Sequence, residues 1–493
     1  MLALVACVVP SAAAPERIAI VGGGLAGLAT AIHLLDGGAH QRTPRVLHIY
    51  DPSAPGCGGA SAVAAGLLHP FTPRGREIWQ GREGFAASCA LLARCGEAEG
   101  GGVSERTGLL RLALDDAQAE MLRAAADADD PEREAGIDEA LEGEDALEQH
   151  WRSVDQAEQQ AGGSNAGGGE AAGAAAEGAG GGAVGGGAVG GGARGAVFAP
   201  NARSVDTPAY LRALWALCET QAAAAGVEAA WCTRRVDALA ELQEVTGGPY
   251  DAIIVAMGSR AVEITELQGL ASVLRPCRGQ NLLLENSADL RTPLISGKYV
   301  VPVANGAQLL AGATFEYDPP DIVHRPPDAE AAAAALLPSL AAIHPPLATA
   351  RVLGAQAGVR ALPPRSHYGY VPLLGRLPIE AGGSAAAAGG GEAGGGEASE
   401  ADAYQPWLRL RSRKRGDEAT DDPAVSVGAA APSGGTWIFG GLGSRGLIHH
   451  ALLGAAVAEA VLEGDETLLP EHTRRCQQKL PRLAWAGKRS GDA

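Results

Sequence analysis

The sequence predicts an α/β protein built on a dinucleotide clamp, and three observations near its start predict it. Residues 18–32 read Ile-Ala-Ile-Val-Gly-Gly-Gly-Leu-Ala-Gly-Leu-Ala-Thr-Ala-Ile, an apolar strand set directly against a glycine turn and an apolar helix. Gly22, Gly24 and Gly27 carry the G-x-G-x-x-G spacing. In that spacing the first glycine makes the tight turn, the second lets the backbone approach a pyrophosphate, and the third brings helix and strand together. A second apolar strand, residues 46–50, ends at Asp51, where a carboxylate can accept both hydroxyls of an adenosine ribose. The expected architecture is Rossmann-like. Its phosphates would lie at the helix N-terminus by Leu25 and Ala26, where unpaired N–H groups favour an anion. The clamp alone fits NAD and FAD equally.

Length and composition bound the rest. A chain of 493 residues exceeds one compact core, and two domains are expected. Residues 161–195 and 382–396 are dominated by Gly and Ala, and 412–435 are charged and then Gly/Ala/Pro-rich. They have too little apolar surface to offset the entropy of ordering and read as disordered insertions. The net charge of −18 argues against a general nucleic-acid binder. The acidic run 115–148 reads as a solvated helical face, and the basic stretch 474–482 as a helix end rather than a partner site. The eight cysteines form no C-x-x-C pair and share no spacing with His, so no metal site and no disulfide framework is expected. That usage fits a reducing compartment, cytoplasm or plastid. No apolar run approaches the roughly 20 residues of a membrane span, so no membrane partner is expected. Residues 1–14 are apolar and end in small side chains but lack a basic start; a targeting segment is the lesser reading.

Residues 58–70, Gly-Gly-Ala-Ser-Ala-Val-Ala-Ala-Gly-Leu-Leu-His-Pro, place a run of small side chains where an NAD enzyme would carry an ordinary helix. Ala60, Ser61, Ala65, Gly66 and Leu67 would let the backbone follow an extended cofactor, with the Ser61 hydroxyl toward the pyrophosphate. Here the chain resembles the FAD-dependent oxidoreductases of the D-amino acid oxidase, glycine oxidase and sarcosine oxidase superfamily. The likeness recurs along the sequence. Ser-Val-Asp-Thr-Pro at 204–208 opens a helix that Asp206 or Thr207 would cap, with Pro208 in its first turn. A buried strand within 250–258 ends at Gly258. Arg-Gly-Gln follows at 278–280, and 299–314 reads as a hairpin turning at Asn305-Gly306. Gly-Val-Arg at 358–360 and Val-Pro-Leu-Leu-Gly at 371–375 resemble the segment facing the flavin ring. The turn Gly441, Leu442, Gly443, Ser444, Arg445, Gly446, Leu447 resembles the last flavin-contacting turn, opening a helix over 447–462. Within the superfamily, residues 65–70, 312–316 and 441–446 are most similar to the oxidase domain of the bacterial bifunctional tRNA 5-methylaminomethyl-2-thiouridine enzyme. The methyltransferase half of that enzyme is missing from this sequence.

The resemblance implies a Rossmann-like FAD-binding domain and an α+β second domain, mostly antiparallel. The FAD-binding domain would comprise 16–90, 197–275, 356–380 and 436–475. The substrate domain would comprise 91–160 and 276–355, with insertions at 161–196 and 381–435 and a tail at 476–493. It implies oxidation of a primary or secondary amine with an amino-acid-like carboxylate: hydride passes to the flavin, water hydrolyses the imine, and oxygen is the acceptor. Arg360 is the expected carboxylate ligand, since a guanidinium forms two parallel hydrogen bonds to that group. Arg445 would lie at the N-terminal end of the flavin-facing helix and Tyr370 in the substrate pocket; His367 and Tyr368 are weaker candidates for its wall. His69 reads as packing or support, and Lys298 as a candidate aid to oxygen reactivity. FAD is expected to be non-covalent, because Val63 stands where histidyl-flavin relatives carry His. A small amine and oxygen are the expected partners. A carboxymethylaminomethyl uridine in tRNA is less favoured, and a non-catalytic flavin-binding interaction protein is the reading from another class.

Overall fold

Every residue of Ile18–Val21 is apolar, as a strand covered on both faces requires, and all four are buried. In the computed structural model the strand Arg17–Val21 lies inside a six-stranded sheet. The structure describes residues 16–37, 43–72, 75–99, 102–105, 107–127, 152–153, 193–243, 245–317, 324–380, 434–477 and 483–484. The expected insertions at 161–196 and 381–435 fall almost wholly outside these residues, as do 1–14, most of 115–148 beyond residue 127, and the tail past 484.

The sheet runs in the order Leu373–Arg376, Gly435–Gly440, Ala252–Val255, Arg17–Val21, Val46–Tyr50, Glu228–Cys232. All neighbours are parallel except Leu373–Arg376, which runs antiparallel to Gly435–Gly440. One face is covered by the helices Leu25–Leu35, Gly81–Glu99, Thr207–Ala225 and Gly446–Glu463, whose apolar residues share a core with Ile18, Ile20, Ile254 and Trp437. Thr207–Ala225 begins as its sequence dictates: Asp206 accepts from Ala209 N at 2.9 Å, Pro lies in the first turn, and left-handed Gly226 ends it. Gly446–Glu463 is long and apolar enough to cross a membrane by length and composition. It is 67% buried within the protein, where it serves as a core helix.

A second sheet of eight strands runs Val352–Leu362, Arg275–Glu285, Gln308–Gly312, Lys298–Val303, Leu294–Ser296, Leu109–Ala113, Gly195–Ala199, Arg152–Ser153. It is antiparallel apart from one parallel pair, Leu294–Ser296 beside Leu109–Ala113. Ala304, Asn305 and Gly306 all take positive φ at the tip of the hairpin 298–312. The helix Ala329–Ile343, capped by Asp328, lays Leu336, Leu340 and Ile343 on this sheet against Leu282, Leu284 and Val300. The strand Val352–Leu362 is continuous in this second sheet, so a boundary at 355/356 cuts one strand. Residues 195–199 also belong to the second sheet rather than the first. Both departures concern which sheet a strand pairs into, and long-range pairing decides that where local composition does not mark it.

Candidate active site

The glycine turn has the geometry its spacing implies. Gly22 takes φ +109°, and a Cβ there would lie 2.5 Å from Ala256 O; at Gly27 it would lie 2.0 Å from Gly22 O. Helix Leu25–Leu35 therefore packs on the strand at glycine distance. Asp51 braces the turn, its two carboxylate oxygens accepting from Gly23 N at 2.9 Å and Ser53 N at 2.8 Å. Ser61 Oγ accepts from Leu25 N at 3.2 Å and lies 2.9 Å from where a Gly24 Cβ would be, so a hydroxyl occupies the mouth of that helix beside Ala26. Gly258, at φ +57°, opens the turn after the neighbouring strand Ala252–Val255. Trp231 went unread in the sequence. Its indole packs where a Gly23 side chain would be, and its Nε1 donates to Ser53 O at 3.0 Å.

From Ser61 the chain passes Ala65 to Gly66, whose left-handed backbone allows it to pack on Val205, and Leu67 pairs with Ser204. This segment packs against the second sheet at Gly358 and Asn281. A Gly358 Cβ would fall 2.6 Å from Val63 and 3.1 Å from Ala60 Cα, while Asn281 Nδ2 donates to Val63 O at 2.8 Å and Asn281 Oδ1 accepts from Tyr299 Oη at 2.6 Å.

The turn 441–447 closes the other side. Gly441 and Gly443 take positive φ, and Gly443 N donates to Ala361 O at 3.0 Å. Ser444 is exposed and Leu447 buried, and Gly446 leaves 3.1 Å from its Cβ position to Leu25 Cδ1. The turn of 441–447 thus abuts the clamp helix.

Strand alternation now decides where Arg360 points. Gly358, Arg360 and Leu362 share one face; Gly358 faces Ala60 and Val63, and Leu362 Cδ2 lies 3.2 Å from a Gly443 Cβ position. Arg360 lies between the two segments. Its guanidinium sits 4.9 Å over the Phe315 ring, contacts Cys277 Sγ at 3.9 Å, and covers Gly279, where a Cβ would come within 2.6 Å. Phe315 is 54% exposed. Tyr317 and Tyr370 continue this face: Arg275 lies 4.3 Å over Tyr317, and Arg365 lies 5.9 Å over Tyr370. Arg445 Nη1 donates to Tyr370 O at 3.3 Å. Burial, then the nearby Arg365 charge, lowers the Arg445 pKa. Phe315, Tyr317 and Arg365 were missed because each is ordinary in its own segment.

Lys298 also reaches this face, its ammonium 5.3 Å over the Phe315 ring, and the remaining candidates are more remote. Lys298 donates to Ala313 O at 2.6 Å and lines a cavity of about 900 Å³ with Arg278, Gln280 and Glu316; burial and then Arg360 lower its pKa. Burial would raise the Glu316 carboxyl, but bonds from Thr314, Gln280 and Arg278 bring it below the usual range. Burial holds His69 neutral, with a pKa of about 3, and its Nδ1 accepts from Phe71 N at 3.3 Å. Tyr368 is 45% exposed and stacks on His472 at 4.3 Å, with His367 beside it.

The site can hold FAD on its own evidence: a glycine cradle that any Cβ would fill, donors at a helix mouth, and a carboxylate at the end of the second strand. Fold and site define a dinucleotide-binding protein built on two large sheets. A family model described as FAD dependent oxidoreductase (DAO) matches residues 17–398, and the chain belongs to this family. It is therefore an FAD-dependent oxidoreductase. No curated protein matches the sequence. Among solved structures, the chain is similar to glycine oxidase from Geobacillus kaustophilus, with 19% identity, 92% of this chain and 97% of that one covered, and a TM-score of 0.56. Iminodiacetate oxidase from Chelativorans sp. BNC1 gives 18%, 96%, 100% and 0.54. L-proline dehydrogenase from P. horikoshii gives 14%, 92%, 96% and 0.55. These likenesses show the shared fold.

Proposed function

We propose that the protein oxidises a small primary or secondary amine carrying a carboxylate. The placement of Arg360 supports this most directly: it shares a strand face with Gly358 and Leu362, between the 60–63 segment and the 441–447 turn. FAD, when bound, supplies the acceptor for hydride from the carbon bearing nitrogen and passes the electrons to oxygen, giving hydrogen peroxide. Gly22, Gly24, Gly27, Asp51 and Ser61 would hold its adenosine and pyrophosphate half, and the 441–447 turn its ring.

The side chains do the remaining work. Arg360 fixes the carboxylate through a two-bond fork, and Phe315 limits water on one side. Cations surrounding the amine disfavour its protonated form, and a neutral amine is the one that can lose hydride. Water then hydrolyses the resulting imine. The similar structures titled glycine oxidase and iminodiacetate oxidase are consistent with such a substrate.

A second reading is oxidative removal of a carboxymethyl group from a tRNA wobble uridine. The exposed Phe315, Tyr317 and Tyr368 interleaved with arginines suit nucleic acid, while the net charge of −18 opposes it. The test is anaerobic bleaching of the flavin band near about 450 nm by glycine, sarcosine, D-alanine and iminodiacetate, beside modified tRNA and methylamine. Bleaching by the carboxylate-bearing amines alone is expected. Bleaching by tRNA alone selects the second reading. A yellow protein that none of them bleaches overturns both and leaves a flavin-binding interaction protein.

A further inference from the structure

In a chain of net charge −18, the face around Arg360 gathers arginines that no carboxylate bonds, although Glu316 lines the cavity beside Phe315. Arg275, Arg360 and Arg365 lie over Tyr317, Phe315 and Tyr370, and Arg445 donates to one backbone carbonyl, Tyr370 O. Among the described residues none of these four arginines has an acidic partner within ion-pair distance. Arg278, on the adjoining strand position, shows the contrast. It is 3% exposed, bonds Glu316 at 2.5 Å, and also donates to Pro326 O at 2.6 Å.

Arg445 and Arg365 differ from Arg278 in kind. Arg445 is half-buried and makes a single long bond to a neutral oxygen, the carbonyl of Tyr370, and the Arg365 guanidinium lies 5.9 Å over the ring of that same residue. Two like charges brought together without a counter-ion are held at a cost that an anion between them would relieve. Guanidinium forks match carboxylate geometry. This pair is also distinct from the Arg360 position. The hydrogen bond Gly443 N to Ala361 O brings the two chain segments together, while Arg360 turns toward Phe315 and Arg445 toward Tyr370.

We propose that Arg365 and Arg445 form a second anion subsite next to Arg360, so that the preferred substrate is an amine bearing two acid groups. The amine in this statement rests on the oxidase reading above; the two anion positions do not. The test is titration of the purified holoenzyme with glutarate and with valerate, at constant ionic strength, following the perturbation of the flavin absorbance. Glutarate is expected to bind at least about tenfold tighter than valerate, the discrimination that about 1.4 kcal/mol supplies. Arg365→Gln should bring the ratio below about threefold, and Arg365→Lys should keep more of it; Arg365 is exposed, so neither change disturbs a core. Equal affinities in the unaltered protein, or a ratio that Arg365→Gln leaves in place, overturn the subsite. If glutarate is preferred but no amine bleaches the flavin, the oxidase reading falls and the subsite stands.

Discussion

Arg360→Ala removes a guanidinium that touches three groups: Phe315 at 4.9 Å, Cys277 Sγ at 3.9 Å and the bare backbone of Gly279. None of them is a charge, so little in the folded protein depends on it. Losing its stacking on an exposed ring costs about 0.5–1 kcal/mol, a shift of only a few degrees in Tm. The effect on substrate is far larger. A hydrogen bond to a charged group contributes about 1.5–3 kcal/mol, and two made by one fork contribute about 3–5 kcal/mol together. At about 1.4 kcal/mol per factor of ten, kcat/KM should fall roughly one-hundred-and-forty- to four-thousand-fold. Most of the loss should appear in KM, because the carboxylate is held alike before and during hydride loss. Arg360→Lys, keeping charge without the fork, should recover part of it. The assay is the rate of anaerobic flavin reduction against substrate concentration. A change under about threefold, or an equal loss for amines with and without a carboxylate, would refute the assignment.

Two other outcomes follow from local geometry. Gly22→Ala forces a side chain into φ +109° and to 2.5 Å from Ala256 O; a cost of at least about 1–3 kcal/mol should lower both the FAD content of purified protein and its Tm, and retention of both would show that the turn adapts. Asp36 ends the clamp helix, bonded by Arg94 at 2.8 and 3.0 Å and by Gln221 at 2.7 Å. Burial would raise its pKa, but the bonds from His33 and Arg94 and their charges hold it well below the usual range. Its stabilisation is therefore complete above the unfolded pKa of about 3.9 and is lost as pH falls below that value. Arg94→Met should cost about 1 kcal/mol at pH 7 and flatten the stability profile between about pH 4 and 2, measured by urea unfolding.

The parts of the site readable from sequence are those whose physics is local. Gly22 and Gly27 were legible because a tight turn and a close helix contact require glycine at a fixed spacing. Asp206 was legible because a cap bonds its own helix three residues on. Arg360 was found through the likeness of its segment to a family, and the strand register then showed which way it faces. Tyr317 and Arg365 had no such mark, and Phe315, though inside the similar segment 312–316, gave no sign that its ring would meet Arg360. Trp231 reads as an ordinary strand residue until the adjacent turn leaves room for its indole. Domain limits were also hard to read, since Val352–Leu362 looks the same whichever sheet it joins.

By itself, then, the sequence determined the dinucleotide clamp and the α/β class, because turns, caps and apolar periodicity depend on residues close in the chain, and its motifs carried the likeness to the family. Tertiary structure decided what the clamp serves. Pairing of Arg275–Glu285 with Val352–Leu362 sets Cys277 opposite Arg360, and the bond from Gly443 to Ala361 brings Arg445 to the same neighbourhood. Charges that are unremarkable when scattered along the chain are gathered onto one face when packing concentrates Arg275, Arg360, Arg365 and Arg445 beside aromatic rings without bonding them to carboxylates.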